Sequence, residues 1–327
     1  MSDSYRVLAT NPIDPAALPI LTPHCELLVA PDDSEQTLRK LVADVDALIV
    51  RVRLPDDIFD HAPRLKACVR HGVGLDFIPV DRATGAGIAV ANLPDSNTQA
   101  VAEHVIGAIL SLARGFDRLP SLWRKDGWLI RQAFQGIELR GRTIGIVGLG
   151  RIGTQVASSL HYGFGMRVLG CDRGLREGLP SFIEQTSIEE VFTGSDVITL
   201  HAPLVESTKH LVDARLLGLA GPGTLLVNAA RGGLIDDEAL IEALRARRIG
   251  GAALDVFEPE PLPTDHPYWS LDNVLLTPHI AAFTAEGLAR MSSGAARAVV
   301  DILHGRRPEH LVNPDAWPRC LERLQAR

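Results

Sequence analysis

The stretch Thr143–Asp172 constrains the fold more than any other part of this chain. Thr143–Val147 is a β-branched and apolar run of the kind a buried strand needs. Gly148, Gly150 and Gly153 follow in the spacing G-x-G-x-x-G, and a helix-length segment then carries Val156, Ala157 and Leu160. A second strand, Arg167–Gly170, delivers Asp172, 19 residues after Gly153. Strand, glycine turn, helix, strand and acid are together the parts of a dinucleotide-binding unit. The first glycine permits a tight turn, the second lets backbone approach a pyrophosphate, and the third lets the helix pack on the strand. The helix N-terminus adds free N–H groups and positive potential. Asp172 suits the adenosine ribose hydroxyls and would repel a 2′-phosphate, which favours NAD over NADP. Arg173, the next residue, is a cation that bears on that choice.

With 327 residues there is room for a second domain beside this unit. The net charge of −7, with no long run of Lys and Arg, argues against nucleic acid or an anionic membrane as the partner. Cys25, Cys68, Cys171 and Cys320 are scattered without a C-x-x-C pair. That pattern predicts free thiols in a reducing cytoplasm, with no disulfide frame and no metal site. The start, MSDSYRVLAT, lacks a basic segment followed by an apolar one, and no run of about 18 apolar residues occurs, so neither a signal peptide nor a membrane span is expected.

Residues 1–97 predict a first α/β unit. Strands are expected at Arg6–Ala9, Leu27–Ala30, Ala47–Val50, Ala67–Val69 and Ile88–Ala91, with a helix over Ser34–Ala43 capped by Ser34. Alternating strands and helices imply a parallel sheet, whose ligands bind beyond the strand ends. Two such ends carry arginines, Arg51 and Arg70, and the second runs into Gly72-Val73-Gly74, where backbone N–H groups can converge on an anion. Thr98–Arg114 reads as a helix with Val101, Val105, Ile109 and Leu112 in one stripe, enclosing Glu103 and His104. The stretch 116–136 holds Trp123, Trp128 and Phe134 and reads as an exposed arm suited to a subunit interface. Beyond Asp172, four further strands end in polar or proline-containing loops, at His201, Asn228, Asp255 and Thr277. Helices are predicted over Asp237–Arg247 and Ala285–Leu303, the latter returning to the first domain. Residues 1–97 with 287–327 are thus expected as a substrate domain, and 98–286 as the dinucleotide-binding domain.

Three residues in these loops form a chemical set: Arg231, Glu260 and His279. Hydride transfer to a 2-keto acid needs a cation to fix the carboxylate and polarise the carbonyl, and a guanidinium does so with two hydrogen bonds. It also needs an acid for the carbonyl oxygen, and histidine serves near neutral pH. A carboxylate that orients the imidazole completes the set. Glu260 lies between Pro259 and Pro261, which stiffen its backbone, and Asp255 is placed to bond the nicotinamide carboxamide.

Taken together, HGVGLD at 71–76, GLGRIG at 148–153, HAPL at 201–204, NAARGGLID at 228–236, LDVFEPEPL at 254–262 and TPHIAAFT at 277–284 resemble the D-isomer-specific 2-hydroxyacid dehydrogenase family over nearly the whole chain. The resemblance implies two doubly wound α/β domains, a flavodoxin-like substrate domain and a Rossmann NAD domain, with a cleft between them, and a homodimer. It implies Arg231 as the substrate arginine, Glu260 and His279 as the acid/base pair, and Asp255 at the carboxamide. It also implies Arg151, Ile152 and Asp172 on the adenosine half, Ala202, Pro203, Ala229 and Ala230 along the cofactor, and the backbone of Val73 and Gly74 at the substrate carboxylate. Within the family the first domain is most similar to 3-phosphoglycerate dehydrogenases, whose phosphate-contacting arginines match Arg51 and Arg70. The expected substrate is therefore a D-2-hydroxy acid with a second anionic group, of 3-phosphoglycerate or sulfolactate type. Val52, His71 and Pro79 depart from that pattern, and an added C-terminal regulatory domain is not expected. Glyoxylate or hydroxypyruvate reduction stays open, as does an NAD-sensing corepressor. Formate-type relatives are expected to carry glutamine at the position of Glu260.

Overall fold

The computed structural model describes residues 4–326; Met1 to Asp3 and Arg327, which belong to the expected substrate domain, lie outside the described residues. The chain divides into two compact units, one built from the chain up to Asn97 together with the stretch from Phe283 onward, the other from Thr98–Ala282.

In the first unit, β1 (Tyr5–Ala9), β2 (Cys25–Val29), β3 (Ala47–Val50), β4 (Ala67–Arg70) and β5 (Ala89–Ala91) form a parallel sheet in the order β2-β1-β3-β4-β5. Side chains alternate between its faces, as a period of two requires. Val7, Ala9, Ile49, Val69 and Ala91 point to one side and meet Ala295, Val299 and Ile302 of the helix Ala285–Leu303. Leu8, Leu48, Val50, Cys68 and Val90 point to the other and meet Leu38 and Val42 of the helix Glu35–Val42. Because both faces are covered, β3 and β5 are apolar throughout rather than alternating, while the edge strand β2 exposes Glu26. Ser34 caps its helix by accepting from Thr37 N–H at 3.3 Å.

In the second unit, β6 (Thr143–Val147), β7 (Arg167–Cys171), β8 (Ile183–Gln185), β9 (Val197–Leu200), β10 (Leu225–Asn228), β11 (Gly251–Leu254) and β12 (Val274–Leu276) form a parallel sheet ordered β12-β11-β10-β9-β6-β7-β8. One face packs on the helices Thr98–Arg114 and Arg151–Phe164 through Val101, Val105, Ile109, Val156 and Leu160. The other packs on Asp237–Arg245 through Leu240, Ile241 and Leu244. Each such side chain taken out of water contributes about 1.5–3 kcal/mol.

The short β8 is absent from the sequence reading, since Ile183–Gln185 offers one buried position in three residues. Within 116–136 the chain is helical, Leu119–Asp126 and Ile130–Ala133. Trp123 and Trp128 meet there in a tilted pair, 5.8 Å between ring centroids, and are both more than half exposed. Among the described residues no helix is long and apolar enough to cross a membrane.

Candidate active site

Each sheet reverses its strand order at one place, and in open α/β sheets ligands bind outside the strand ends at such a switch point. In the second unit the switch falls between β6 and β9. The glycine loop leaves β6 there, and His201-Ala202-Pro203 leaves β9. Gly148 has φ +98°, and a Cβ on it would lie 2.6 Å from the carbonyl carbon of His201. A Cβ on Gly153 would lie 2.1 Å from the Gly148 carbonyl oxygen, so the helix Arg151–Phe164 sits tight against the loop. Gly150, by contrast, faces open space. Two closed positions thus flank an open one at the helix N-terminus where Arg151 and Ile152 lie, and free N–H groups at such a terminus suit an anion.

Asp172 follows β7. Its carboxylate accepts from Leu149 N–H at 3.2 Å and Arg173 N–H at 2.8 Å. Arg176, a residue the sequence reading passed over, reaches Leu149 O at 2.8 Å and Asp172 at 3.4 Å. Asp172 is thereby tied to the glycine loop. His201 is half-buried beneath it, beside Thr199 Oγ1 at 3.0 Å, and the desolvation of its ring pushes its pKa down to about 4.

The sheet register lines up Asn228, Leu254 and Leu276, the last residues of β10, β11 and β12. The loops that follow carry the catalytic candidates. Asn228 braces the first loop, with its side-chain N–H donating to Arg231 O at 2.8 Å and its oxygen accepting from Ala230 N–H at 3.0 Å. Ala229 and Ala230 thus sit in a turn that orients Arg231, whose guanidinium donates to Ala230 O at 2.6 Å. The second loop carries Glu260, and the peptide bonds to Pro259 and Pro261 are cis. His279 ends the third loop with φ +53°, a left-handed conformation that is rare outside glycine and is held here by its N–H donating to Asp255 O at 2.7 Å.

His279 Nδ1 lies 2.8 Å from Glu260 Oε2, and Glu260 Oε1 accepts from Phe257 N–H at 3.1 Å. Burial raises the Glu260 carboxyl, but the hydrogen bond and charge of His279, the Phe257 N–H and the charge of Arg231 outweigh it. The group ends below its usual range, so it is an ionised acceptor. Nδ1 is therefore the donor in this pair, and Nε2 is the ring nitrogen available for proton transfer. Asp255 is buried and accepts from Thr277 Oγ1 at 2.6 Å, Ile280 N–H at 2.9 Å and Ala281 N–H at 2.9 Å.

The first unit has its switch point between β1 and β3, and Arg51 leaves β3 there. Arg51 N–H donates to Thr10 Oγ1 at 2.9 Å, its guanidinium donates to Pro12 O, and it lies over the Phe283 ring at 5.5 Å. Arg70 is buried. Its guanidinium donates to Val50 O at 2.8 Å and Gly74 O at 3.0 Å and covers the Phe77 ring at 4.3 Å. Gly72, at φ +141°, uses its own N–H on Arg70 O. The Val73 carbonyl is held by Asn92 at 2.8 Å and the Gly74 carbonyl by Arg70. Among the described residues, the N–H groups of Val73 and Gly74 donate to no protein acceptor. His71 is buried with Nε2 at 2.8 Å from Ser292 Oγ, and that oxygen already accepts from Asp14 N–H. Ser292 thus joins His71 to the Asp14 N–H, and the His71 ring is neutral. Burial first, then the charges of Arg51 and Arg70, push its pKa down to about 3.

Residues 106–281 match a family model described as D-isomer specific 2-hydroxyacid dehydrogenase, NAD binding domain. The chain is similar to a D-3-phosphoglycerate dehydrogenase of Methanocaldococcus jannaschii, 38% identical over 96% of this chain and 60% of that one. It is likewise similar to a glyoxylate reductase of Thermofilum pendens, 37% identical over 98% of each chain. The chain belongs to the D-isomer-specific 2-hydroxyacid dehydrogenase family. It is an NAD-dependent oxidoreductase of that family. The crystal structure of a D-lactate dehydrogenase from Aquifex aeolicus, complexed with NAD and lactic acid, superposes with a TM-score of 0.84 at 29% identity, covering 94% of this chain and 99% of that one.

Proposed function

We propose that this 2-hydroxyacid dehydrogenase interconverts a D-2-hydroxy acid and its 2-keto acid through His279, Glu260 and Arg231, on a substrate that carries a second anionic group. The observation that carries the reading is the 2.8 Å pair of His279 Nδ1 and Glu260 Oε2 in a loop cluster where Arg231 acts on the same carboxylate.

The glycine loop, Asp172, Ala202, Pro203, Ala229, Ala230 and Asp255 hold the dinucleotide. Bound there, its nicotinamide supplies or accepts a hydride. In the reducing direction His279 donates a proton from Nε2 to the carbonyl oxygen, and its Nδ1–H stays on Glu260. In oxidation Nε2 takes that proton back. Arg231 grips the carboxylate and polarises the carbonyl through its fork. The N–H groups of Val73 and Gly74, whose carbonyls are tied back, receive a carboxylate oxygen.

The second anion falls to Arg51, at the switch point of the first sheet. Arg70 serves it indirectly, because its guanidinium is engaged with Val50 O and Gly74 O and so shapes the carboxylate loop. Turnover of 3-phosphoglycerate, sulfolactate, D-lactate, D-glycerate and glyoxylate tests this. Arg51→Ala is expected to raise KM about 10- to 100-fold for an acid with a second anion, from the loss of a charged hydrogen bond, and to leave glyoxylate unchanged. An unchanged KM for the best substrate removes the second-anion reading. A second reading, glyoxylate or hydroxypyruvate reduction, is favoured by the end-to-end match with the Thermofilum protein, and a wild-type preference for those acids would establish it.

The same proposal includes a cytoplasmic homodimer. The cysteines are free and buried, as a reducing compartment allows, and Phe116, Trp123, Trp128 and Leu129 leave an apolar face on the arm. Light scattering should show a dimer that Trp123→Ser with Trp128→Ser converts to monomer. A double variant that stays dimeric would remove the arm from the interface, and cell fractionation checks the compartment.

A further inference from the structure

We infer that His104 is a positioning residue for the nicotinamide end of the cofactor, acting through Thr277 on Asp255. This rests on the reading of Asp255 as the acceptor for the carboxamide. His104 lies in the helix Thr98–Arg114, 173 residues before Thr277, and takes no part in the acid/base set.

The chain of hydrogen bonds has one consistent direction. An ionised carboxylate only accepts, so the Thr277 hydroxyl spends its one proton on Asp255 Oδ1 at 2.6 Å. The Thr277 oxygen must then accept from its other neighbour, His104 Nε2, at 3.3 Å. Nε2 is therefore the protonated nitrogen, and the relay runs from His104 to Thr277 to Asp255. The same nitrogen lies 3.8 Å from Asp255 Oδ1, beyond hydrogen-bond reach, so its influence passes through the hydroxyl.

What the relay holds in place is the acceptor capacity of Asp255. Among the described residues, Oδ1 is filled by Thr277 and the Ile280 N–H, while Oδ2 receives the Ala281 N–H alone. The remaining acceptor direction on Oδ2 is the one a carboxamide N–H₂ can use. A free Thr277 hydroxyl could rotate away from Oδ1, and the carboxylate would lose the bond that sets its plane. The surroundings agree. His104, Asp255, Thr277, Asn228 and Ala229 line one cavity of about 240 Å³, with Gly107 leaving space along the helix. His104 thus borders the same space as residues on the cofactor side of β10 and β11.

The test separates the two ends of the dinucleotide. Binding of NADH and of ADP-ribose, which lacks nicotinamide, is measured by calorimetry for wild type, His104→Ala, His104→Gln and Asp255→Ala. His104→Ala is expected to weaken NADH about 5- to 30-fold, the scale of one or two lost hydrogen bonds, and to leave ADP-ribose within twofold. His104→Gln restores NADH affinity, because its amide N–H₂ can donate where Nε2–H did. Equal weakening of both ligands, no weakening of either, or failure of glutamine to rescue overturns the proposal. If Asp255→Ala leaves NADH affinity intact, the carboxamide reading itself fails, a different result from a silent His104→Ala beside a weakened Asp255→Ala. Melting temperatures confirm that each variant is folded, and His104→Gln keeps the question answerable if the alanine variant is not.

Discussion

At the scale of single residues, the His279–Glu260 pair makes its own prediction. His279 occupies a left-handed backbone position, where asparagine is tolerated better than alanine. His279→Asn therefore removes the imidazole with little added strain. It is expected to lower kcat by about 10²–10⁴-fold, the usual contribution of a general acid or base, while NADH binding by fluorescence stays unchanged. An unaltered kcat would end the catalytic role. Glu260 adds a pH signature. Its carboxyl is held below its ordinary value of 4.5, so the carboxylate form persists down to that pH and the role it plays is lost only below it. The acid limb of kcat/KM assigned to Glu260 should accordingly lie under pH 4.5, and Glu260→Gln should abolish that limb and lower kcat roughly 10²-fold. An acid limb that survives the substitution belongs to another group. The chemical types of these residues and the loops that carry them were readable from the chain. Arg176 and Ser292 were not, nor was the tie from Thr277 to Asp255, because a polar residue on a helix or loop gives no signal of its partner until the distant segment is in place.

At the scale of elements, the two edges of the first sheet divide their tasks. The chain leaves the strands toward Arg51 and Gly72–Gly74 at one edge. At the opposite edge, just before β3 and β4, Asp46 and Lys66 form a buried ion pair at 2.9 Å, with side chains 0% and 7% exposed. Asp46 also accepts from the Arg6 N–H at 2.9 Å, which ties β1 into the pair. Burial raises the Asp46 carboxyl, yet the Arg6 and Lys66 hydrogen bonds and the charges of Lys66 and Arg64 bring it below its ordinary value. Lys66→Met leaves that carboxylate short of a partner and should cost about 3–5 kcal/mol in urea unfolding, with Asp46→Asn added to it costing less than the sum. A double-mutant cycle with no coupling would show the pair to be idle. The strands β3, β6 and β11 and the helices Thr98–Arg114 and Ala285–Leu303 lie where the pattern of apolar residues puts them. The helices of the arm were missed because their apolar residues face out and mimic a loop.

At the scale of the molecule, each unit contains a neutral histidine, the buried His71 in the first and the half-buried His201 in the second. Both are depressed from 6.5, to about 3 and about 4, chiefly by burial. The unfolded chain binds these protons first, so the stability they represent is complete above about pH 6.5 and declines as pH falls toward 4 and below. The melting temperature should fall between pH 6.5 and 4. It should fall less in His71→Gln, which keeps an acceptor for Ser292 but takes up no proton. A flat profile in the wild type would contradict this account. The sequence by itself determined the parallel α/β class, the glycine turn after β6 and the residue types placed in the strand-end loops. These depend on local periodicity, on glycine's conformational freedom and on residue type, all of which are written along the chain. Only the tertiary structure decided that Arg70 is bound to backbone carbonyls, that His71 is neutral on Ser292 and that His104 reaches Asp255 through Thr277. Those facts depend on which groups burial brings within hydrogen-bond distance, and no spacing along a chain records that.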